Sequence, residues 1–255
     1  MELRVLGCHG GETPNHRTTS FLVDDRIALD AGAITSRLEL SEQMKLEGVL
    51  VSHAHMDHIR DLATLADNRC QLDAPPLVVA GTAATLEALK LHFFNDRLWP
   101  DFSEIPSKSQ PTVIFHELPL DRPSTLLGYD VTAVAVNHTI DAAGLVVSNA
   151  TGAIGFSGDT GPTDRLYEIL NATANMKALL MEVSFPNELQ KLATMSGHHT
   201  PQTLAVDLAK LTAPRDLEVL LYHIKPPFQA DVERECAKLR NLDLRVLALD
   251  DHFQF

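Results

Sequence analysis

The sequence predicts an α/β layered fold, on three observations. Short apolar strands alternate with helical segments along the chain, several of those strands end on a polar residue, and 255 residues suffice to bury a sizeable core. The expected organisation is one domain spanning 1–255. Met1 to Gly7 reads directly as a strand, followed by a glycine loop at Gly10-Gly11. Thr18 to Val23 alternates toward a hairpin at Asp24-Asp25, answered by Arg26 to Asp30 before the turn Ala31-Gly32. Val49-Leu50-Val51 is a buried strand, and Ile59, Leu62, Ala63, Leu65 and Ala66 mark a helix beyond it. Leu77 to Ala80 is a further strand, and Thr82 caps a helix predicted to run to Leu91.

The later chain continues the alternation. Val131 to Val136, Ala153 to Phe156 and Val219 to Tyr222 read as strands, and Pro201 to Leu211 as a helix. Leu244 to Leu249 reads as the final strand. No repeat, low-complexity tract or linker interrupts the pattern. Leu91 to Phe102 breaks it with a run of aromatic and polar residues that contains the only tryptophan. Trp99, Phe94 or Phe102 could stack on a purine, or the rings could anchor a long excursion to the core. The same segment is a candidate homodimer contact.

The formal net charge of −13 argues against a large nucleic-acid partner, which requires a Lys/Arg surface to release counterions. A small anionic substrate is compatible with it, because bound cations would dominate the local field. There is no basic segment leading a long apolar stretch, and no apolar run of membrane-spanning length, so neither a signal peptide nor a membrane segment is expected. Cys8, Cys70 and Cys236 are too few and too scattered for a disulfide framework, which points to a reducing cytoplasm. Cys8 could lie near a site at its strand end, although a buried structural thiol is the ordinary reading.

Chemistry concentrates in His53-Ala54-His55-Met56-Asp57-His58, four possible ligands in six residues behind a strand. Imidazoles and a carboxylate suit a borderline divalent ion such as Zn²⁺, with Mn²⁺ or Fe²⁺ open on the same donor set. His53 and His55, two apart on extended backbone, can face one ion. Asp57 and His58, at a helix start, face elsewhere and could hold a second. Further ligands are expected at other strand ends, where His138, Asp159 and His223 stand. Alone, each has a plain structural reading as a capping or core histidine or a turn aspartate; together with the His53–His58 cluster they form one pattern.

That pattern resembles the metallo-β-lactamase superfamily. The resemblance implies an αββα sandwich, two mixed sheets flanked by helices, with a binuclear metal centre at one edge. It assigns His53, His55 and His138 to one metal, Asp57, His58 and His223 to the other, and Asp159 to the bridge. Asp30-Ala31-Gly32 resembles the aspartate-glycine turn that supports the ligand loop by hydrogen bonds in this superfamily.

Segments outside the ligands narrow the resemblance. Asn95 to Phe102, Met181 to Asn187, Ser196 to Pro201 and His223 to Pro226, with Leu6-Gly7, Gly10-Gly11 and Thr18-Thr19-Ser20, look like class II 3′,5′-cyclic-nucleotide phosphodiesterases. Met56 stands where leucine is usual, and the Gly11–Thr18 segment is short, so substrate contacts there can differ. The implied activity is hydrolysis of cyclic AMP or cyclic GMP to the 5′-monophosphate, by a metal-held hydroxide that Asp57 would help orient. His198 would protonate the leaving oxygen or clamp the phosphate, oriented by Glu182, as in tRNA-3′-processing members. His199 is a weaker candidate. Lys225 is open between a phosphate contact and a solvated loop lysine. Rival readings are a tRNA 3′-processing endonuclease, a lactonase or other small-ester hydrolase, and a non-enzymatic nucleotide-binding protein.

Overall fold

A computed structural model describes residues 1–212, 217–239 and 243–255. The chain opens with a meander of β1 (Glu2–Gly7), β2 (Ser20–Val23) and β3 (Ile27–Leu29). Asp24 and Asp25 have φ of 50° and 54°, and Arg26 N–H donates to Val23 O at 3.0 Å, the backbone of a two-residue primed turn. The short helices α1 (Ile34–Arg37) and α2 (Leu40–Gln43) lead to β4 (Gly48–Leu50), after which come α3 (Met56–Ile59), α4 (Asp61–Gln71), β5 (Leu77–Gly81) and α5 (Ala83–Ala88). A small hairpin, β6 (Pro106–Ser107) and β7 (Gln110–Pro111), precedes β8 (Val113–Glu117).

The chain then builds the second sheet. Its first strands are β9 (Pro123–Leu126), β10 (Tyr129–Ala135), β11 (Ala143–Ser148) and β12 (Ala153–Phe156). Then follow α6 (Arg165–Ala172), β13 (Met176–Glu182), α7 (Gln190–Ser196), α8 (Pro201–Leu208), β14 (Glu218–Tyr222), α9 (Gln229–Cys236) and β15 (Leu244–Val246). A last strand, β16 (His252–Gln254), returns to the first sheet.

Among the described residues both sheets have seven strands, and both are mixed. The first runs β16-β1-β2-β3-β4-β5-β8 and the second β15-β14-β13-β12-β11-β10-β9. In each, half of the pairings are antiparallel and half parallel. Three apolar layers show how they stack. Phe21, Leu29, Leu50, Val131, Phe156 and Leu180 belong to one core shared by the two sheets. Leu62, Leu65 and Leu86 pack helices on the outside of the first sheet, and Leu166, Leu204 and Val232 do the same for the second. This is the expected sandwich of two mixed sheets between helical layers. Among the described residues no helix is long and apolar enough to cross a membrane.

Four readings from sequence need correction. Thr82 caps α5, its side chain accepting from Thr85 N, but the α-helix stops at Ala88 and Leu89–Phe93 forms a π-turn. Phe94 N–H reaches back to Leu89 O at 2.8 Å, and the extra residue per turn lets adjacent Phe93 and Phe94 both enter the core. The helix begun at Pro201 ends at Leu208, not Leu211, because Lys210 and Leu211 bond back only three residues. The strand at Leu244 ends at Val246, since the chain turns at Asp250 (φ 68°) to lay β16 against β1. β2 begins at Ser20 rather than Thr18.

The aromatic excursion also resolves. Phe94 and Phe102 are 1% and 3% exposed and belong to the helix-side core. Trp99 packs against that core and donates its indole N–H to Ala63 O at 3.0 Å. All three rings anchor the segment, and the buried Phe94 and Phe102 are not free to stack on a base; Trp99 is partly exposed, and Leu91 and Leu98 stay exposed.

Candidate metal centre

Each parallel run of strands ends at the same edge of the sandwich, and the polar residues that follow converge there. His53 to His58 follow β4, Asp159 follows β12, Glu182 closes β13, His223 follows β14, and His138 lies just beyond β10. His53, His58, Asp159 and His223 are 2% exposed or less. Loops at strand ends hold such groups on a rigid edge.

The nitrogen and oxygen atoms form two groups that share Asp159. In the first, His55 Nδ1 lies 3.0 Å from His53 Nε2 and 3.1 Å from His138 Nε2. In the second, His223 Nε2 lies 3.4 Å from Asp57 Oδ2, and His58 Nε2 lies 3.9 Å from it. Asp159 Oδ2 stands 3.3 Å from His58 Nε2, 3.2 Å from His223 Nε2 and 3.9 Å from His53 Nε2. Ligands on a tetrahedral ion with bonds near 2.0–2.1 Å sit about 3.3 Å apart. The spacing therefore matches donors gathered around cations.

Hydrogen bonds on the far side of each ring support the same arrangement. His58 Nδ1–H donates to Asp30 Oδ2 at 2.6 Å, and His53 Nδ1–H donates to Ser52 Oγ at 3.0 Å. His138 Nδ1–H donates to Gly197 O at 3.0 Å, and His223 Nδ1–H to Ser184 Oγ at 2.9 Å. With Nδ1 protonated by these partners, the four Nε2 lone pairs face inward, the tautomer a metal-binding histidine needs. His58 Nε2, His223 Nε2 and Asp159 Oδ1 are buried with no hydrogen-bond partner among the described residues. Unpartnered buried polar atoms of this kind are costly unless an ion satisfies them. The donor set suits a divalent metal.

Charge in the centre points the same way. Burial pushes the Asp159 carboxyl up, but the neighbouring His223 and His58 outweigh it and hold it well below the usual carboxylate range. Burial would neutralise His58, yet Asp159 and Asp30 outweigh that and raise it well above an ordinary histidine. Carboxylates that draw a proton onto His58 would draw a cation for the same reason.

Beside the centre lies a second polar system. His198 Nδ1–H donates to Glu182 Oε1 at 3.0 Å, and the ring stacks on His223 with centroids 5.3 Å apart. Glu182 also accepts from Thr160 N, His199 N and Ser184 Oγ. Burial lifts its carboxyl to about 7 and lowers His198 to about 4. His199 turns away, its Nδ1 3.1 Å from Thr203 Oγ1.

All nine residues picked from sequence thus come together at one edge. Asp30 fits its expected supporting role, accepting from Ser52 N, Ser52 Oγ and His58. Sequence reasoning missed the supporting roles of Ser52, Ser184 and the Gly197 carbonyl. A serine directly before His-x-His was the one available signal. It also missed that Asp30 and His223 sit at φ of 58° and 68°, strained backbone of the kind found at functional sites. Cys8 is a buried thiol donating to Leu247 O, raised to about 12 by burial. It belongs to the core.

Two mixed sheets between helix layers, with a His/Asp cluster at one strand edge, define a metallo-β-lactamase-type sandwich. The chain belongs to the beta-lactamase superfamily domain family, whose model matches residues 25–224. It is 26% identical over 280 residues to a probable 3′,5′-cyclic-nucleotide phosphodiesterase of Yersinia pestis, covering 90% of this chain and 79% of that one. It is 24% identical over 271 residues to a 3′,5′-cyclic-nucleotide phosphodiesterase of Aliivibrio fischeri, covering 87% and 80%. Among solved structures, unliganded yeast PDE1 superposes with a TM-score of 0.81 at 20% identity, covering 98% of both chains. The metallo-beta-lactamase fold protein YhfI of Bacillus subtilis gives 0.79 at 19% identity, covering 99% of both.

Proposed function

We propose that this chain, as one hydrolase domain over 1–255, is a binuclear metal-dependent phosphodiesterase that hydrolyses 3′,5′-cyclic nucleotides to 5′-monophosphates. The observation that carries the reading is the pair of donor groups sharing Asp159, with buried His58 Nε2, His223 Nε2 and Asp159 Oδ1 left for a cation. The two relatives named as cyclic-nucleotide phosphodiesterases, matched over most of the chain, select the substrate. His53, His55 and His138 would hold one ion, Asp57, His58 and His223 the other, and Asp159 both. Zn²⁺ suits the donors best, with Mn²⁺ or Fe²⁺ as alternatives.

Such ions would supply a nucleophilic water at neutral pH and neutralise phosphoryl charge during in-line displacement. The chain's own residues do the rest. Asp57, only partly buried, accepts a hydrogen bond from the attacking water and fixes its direction. His198, held on Nδ1 by Glu182, presents Nε2 to the departing 3′-oxygen. The buried ring is neutral in the free protein, and the anionic phosphodiester raises its proton affinity, so that it donates to the alkoxide as the P–O bond breaks. The net charge of −13 favours this small substrate, in a reducing cytoplasm, over a tRNA.

The test is a side-by-side assay of cyclic AMP, cyclic GMP, precursor tRNA and a simple lactone with metal-loaded protein. Release of 5′-AMP or 5′-GMP as the dominant reaction supports the proposal. Preferential cleavage of the tRNA or the lactone, with cyclic nucleotides returned intact, overturns it.

A further inference from the structure

We infer that His199 is a positioning residue for His198, locked in place by a buried Asp207–Lys210 pair that also holds the loop carrying Asp159. The part assigned to His198 rests on the proposed phosphodiesterase reading; the geometry of the lock is independent of it. His199 is wholly buried beside the candidate acid, but it belongs to none of the donor groups. Its contacts account for it otherwise. The His199 N–H donates to Glu182 Oε1 at 3.1 Å, the same oxygen that accepts from His198 Nδ1–H. Its carbonyl accepts from Ser184 N at 3.1 Å and from Phe185 N at 3.3 Å. Residue 199 is thereby fixed on both sides of its Cα, and the peptide that carries the His198 ring is fixed with it.

The His199 ring faces a second buried carboxylate. Nδ1 lies 3.1 Å from Thr203 Oγ1, and Nε2 stands at an ion-pair distance of 3.6 Å from Asp207 Oδ2, with no hydrogen bond among the described residues. A lone pair aimed at a carboxylate is repelled, so the proton sits on Nε2 and Nδ1 accepts from the Thr203 hydroxyl. Asp207, on α8 and 1% exposed, also accepts from Thr163 N at 2.9 Å. Its other oxygen lies 2.8 Å from Lys210 Nζ, which donates to Thr163 O at 2.8 Å and pairs with Asp164 Oδ1 at 2.6 Å. A carboxylate this buried is tolerated because the lysine and these donors compensate it.

Two carboxylates thus join the same pair of segments. Glu182 accepts from Thr160 N in the Asp159 loop and from His199 N; Asp207 accepts from Thr163 N in that loop and faces the His199 ring. Leucine at 199 would fill comparable space but leave Asp207 facing an apolar group. Misplacing a reacting group by about one ångström costs on the order of a hundredfold in rate.

The test takes wild type, His199→Leu, His199→Gln, Asp207→Asn, His198→Ala and the double variant His198→Ala/Asp207→Asn, each with its metal content measured. Cyclic AMP is compared with bis(p-nitrophenyl) phosphate, whose p-nitrophenolate leaves without needing a proton. The inference predicts that His199→Leu and Asp207→Asn lower kcat on cyclic AMP about ten- to hundredfold, with KM, metal content and cleavage of the p-nitrophenyl diester little changed. His199→Gln, which keeps an N–H toward Asp207, recovers most of the loss. In the His198→Ala background Asp207→Asn adds nothing. Equal losses on both substrates, or losses that add in the double variant, overturn it. A readout apart from turnover is the His198 Nδ1–H proton, identified in NMR spectra by its absence from His198→Ala. It should exchange with water faster in His199→Leu and Asp207→Asn than in wild type; an unchanged rate overturns the inference. Faster exchange in those variants, with cyclic nucleotides returned intact by wild type, would keep the lock and discard the cyclic-nucleotide substrate.

Discussion

His58 Nδ1 lies 2.6 Å from Asp30 Oδ2, and both side chains are wholly excluded from solvent. Asp30 is held by Ser52 through two further hydrogen bonds of 2.7 Å, so the His58 ring is aimed by a carboxylate that is itself tied down. Partners of this kind fix ring orientation and raise ligand basicity.

Asp30→Asn keeps the shape and removes the charge. It should lower metal affinity by roughly 10–100-fold, measured by competition with a chromogenic chelator. An unchanged affinity would mean that His58 is oriented by packing alone.

Gly197 adopts φ 66°, and a Cβ there would lie 2.8 Å from His138 Cα. Gly197→Ala should cost about 1–3 kcal/mol through left-handed strain and the clash. It should also loosen His138, whose Nδ1–H donates to Gly197 O. Urea unfolding gives the first effect and metal retention on dialysis the second.

Cys8 and Cys236 are buried, and burial raises both thiols to about 12. Cys70 is partly exposed. Native protein at pH 8 should therefore show one readily alkylated thiol, Cys70, and three after denaturation. The buried pair carries a thiolate fraction of about 10⁻⁴ at that pH. Mass spectrometry after iodoacetamide counts the adducts.

His9 is lowered to about 4, by burial first and by the charge of His16 second. The folded value lies below the unfolded one near 6.5, so this group's contribution is fully present above pH 6.5 and is lost as pH falls toward 4. Between pH 7.5 and 5.0 the wild type should lose roughly 1 kcal/mol more than His9→Asn, after allowance for solvent screening of a partly open loop. Urea midpoints at the two pH values give the difference. Parallel losses would place the acid sensitivity elsewhere.

The clustering of the candidate donors was readable because the chemistry is compact. Four donors crowd into His53–His58, and His138, Asp159 and His223 each close a recognisable strand. Of the supports only Ser52, directly before His53, left a signal; Ser184 acts on a ring 39 positions away, and serine spacing carries no periodic signal. β16 escaped for a related reason. Three residues gain strand geometry only by pairing with β1 at the other end of the chain. At Leu89–Phe93 the rule for an α-helix gave way to the need to bury two adjacent rings. Local pattern found the site, and tertiary pairing decided the boundaries.

The most direct measurement is hydrolysis of 3′,5′-cyclic AMP by purified protein with its metal content quantified, beside a His55→Ala control. His55 shares its Nδ1 between His53 and His138 and is half-exposed, so its loss should empty one donor group and leave the fold intact. The prediction is conversion to 5′-AMP with about two metal ions per chain, and loss of both one ion and turnover in the variant. Two ions per chain with cyclic AMP and cyclic GMP left unchanged would contradict the assigned reaction.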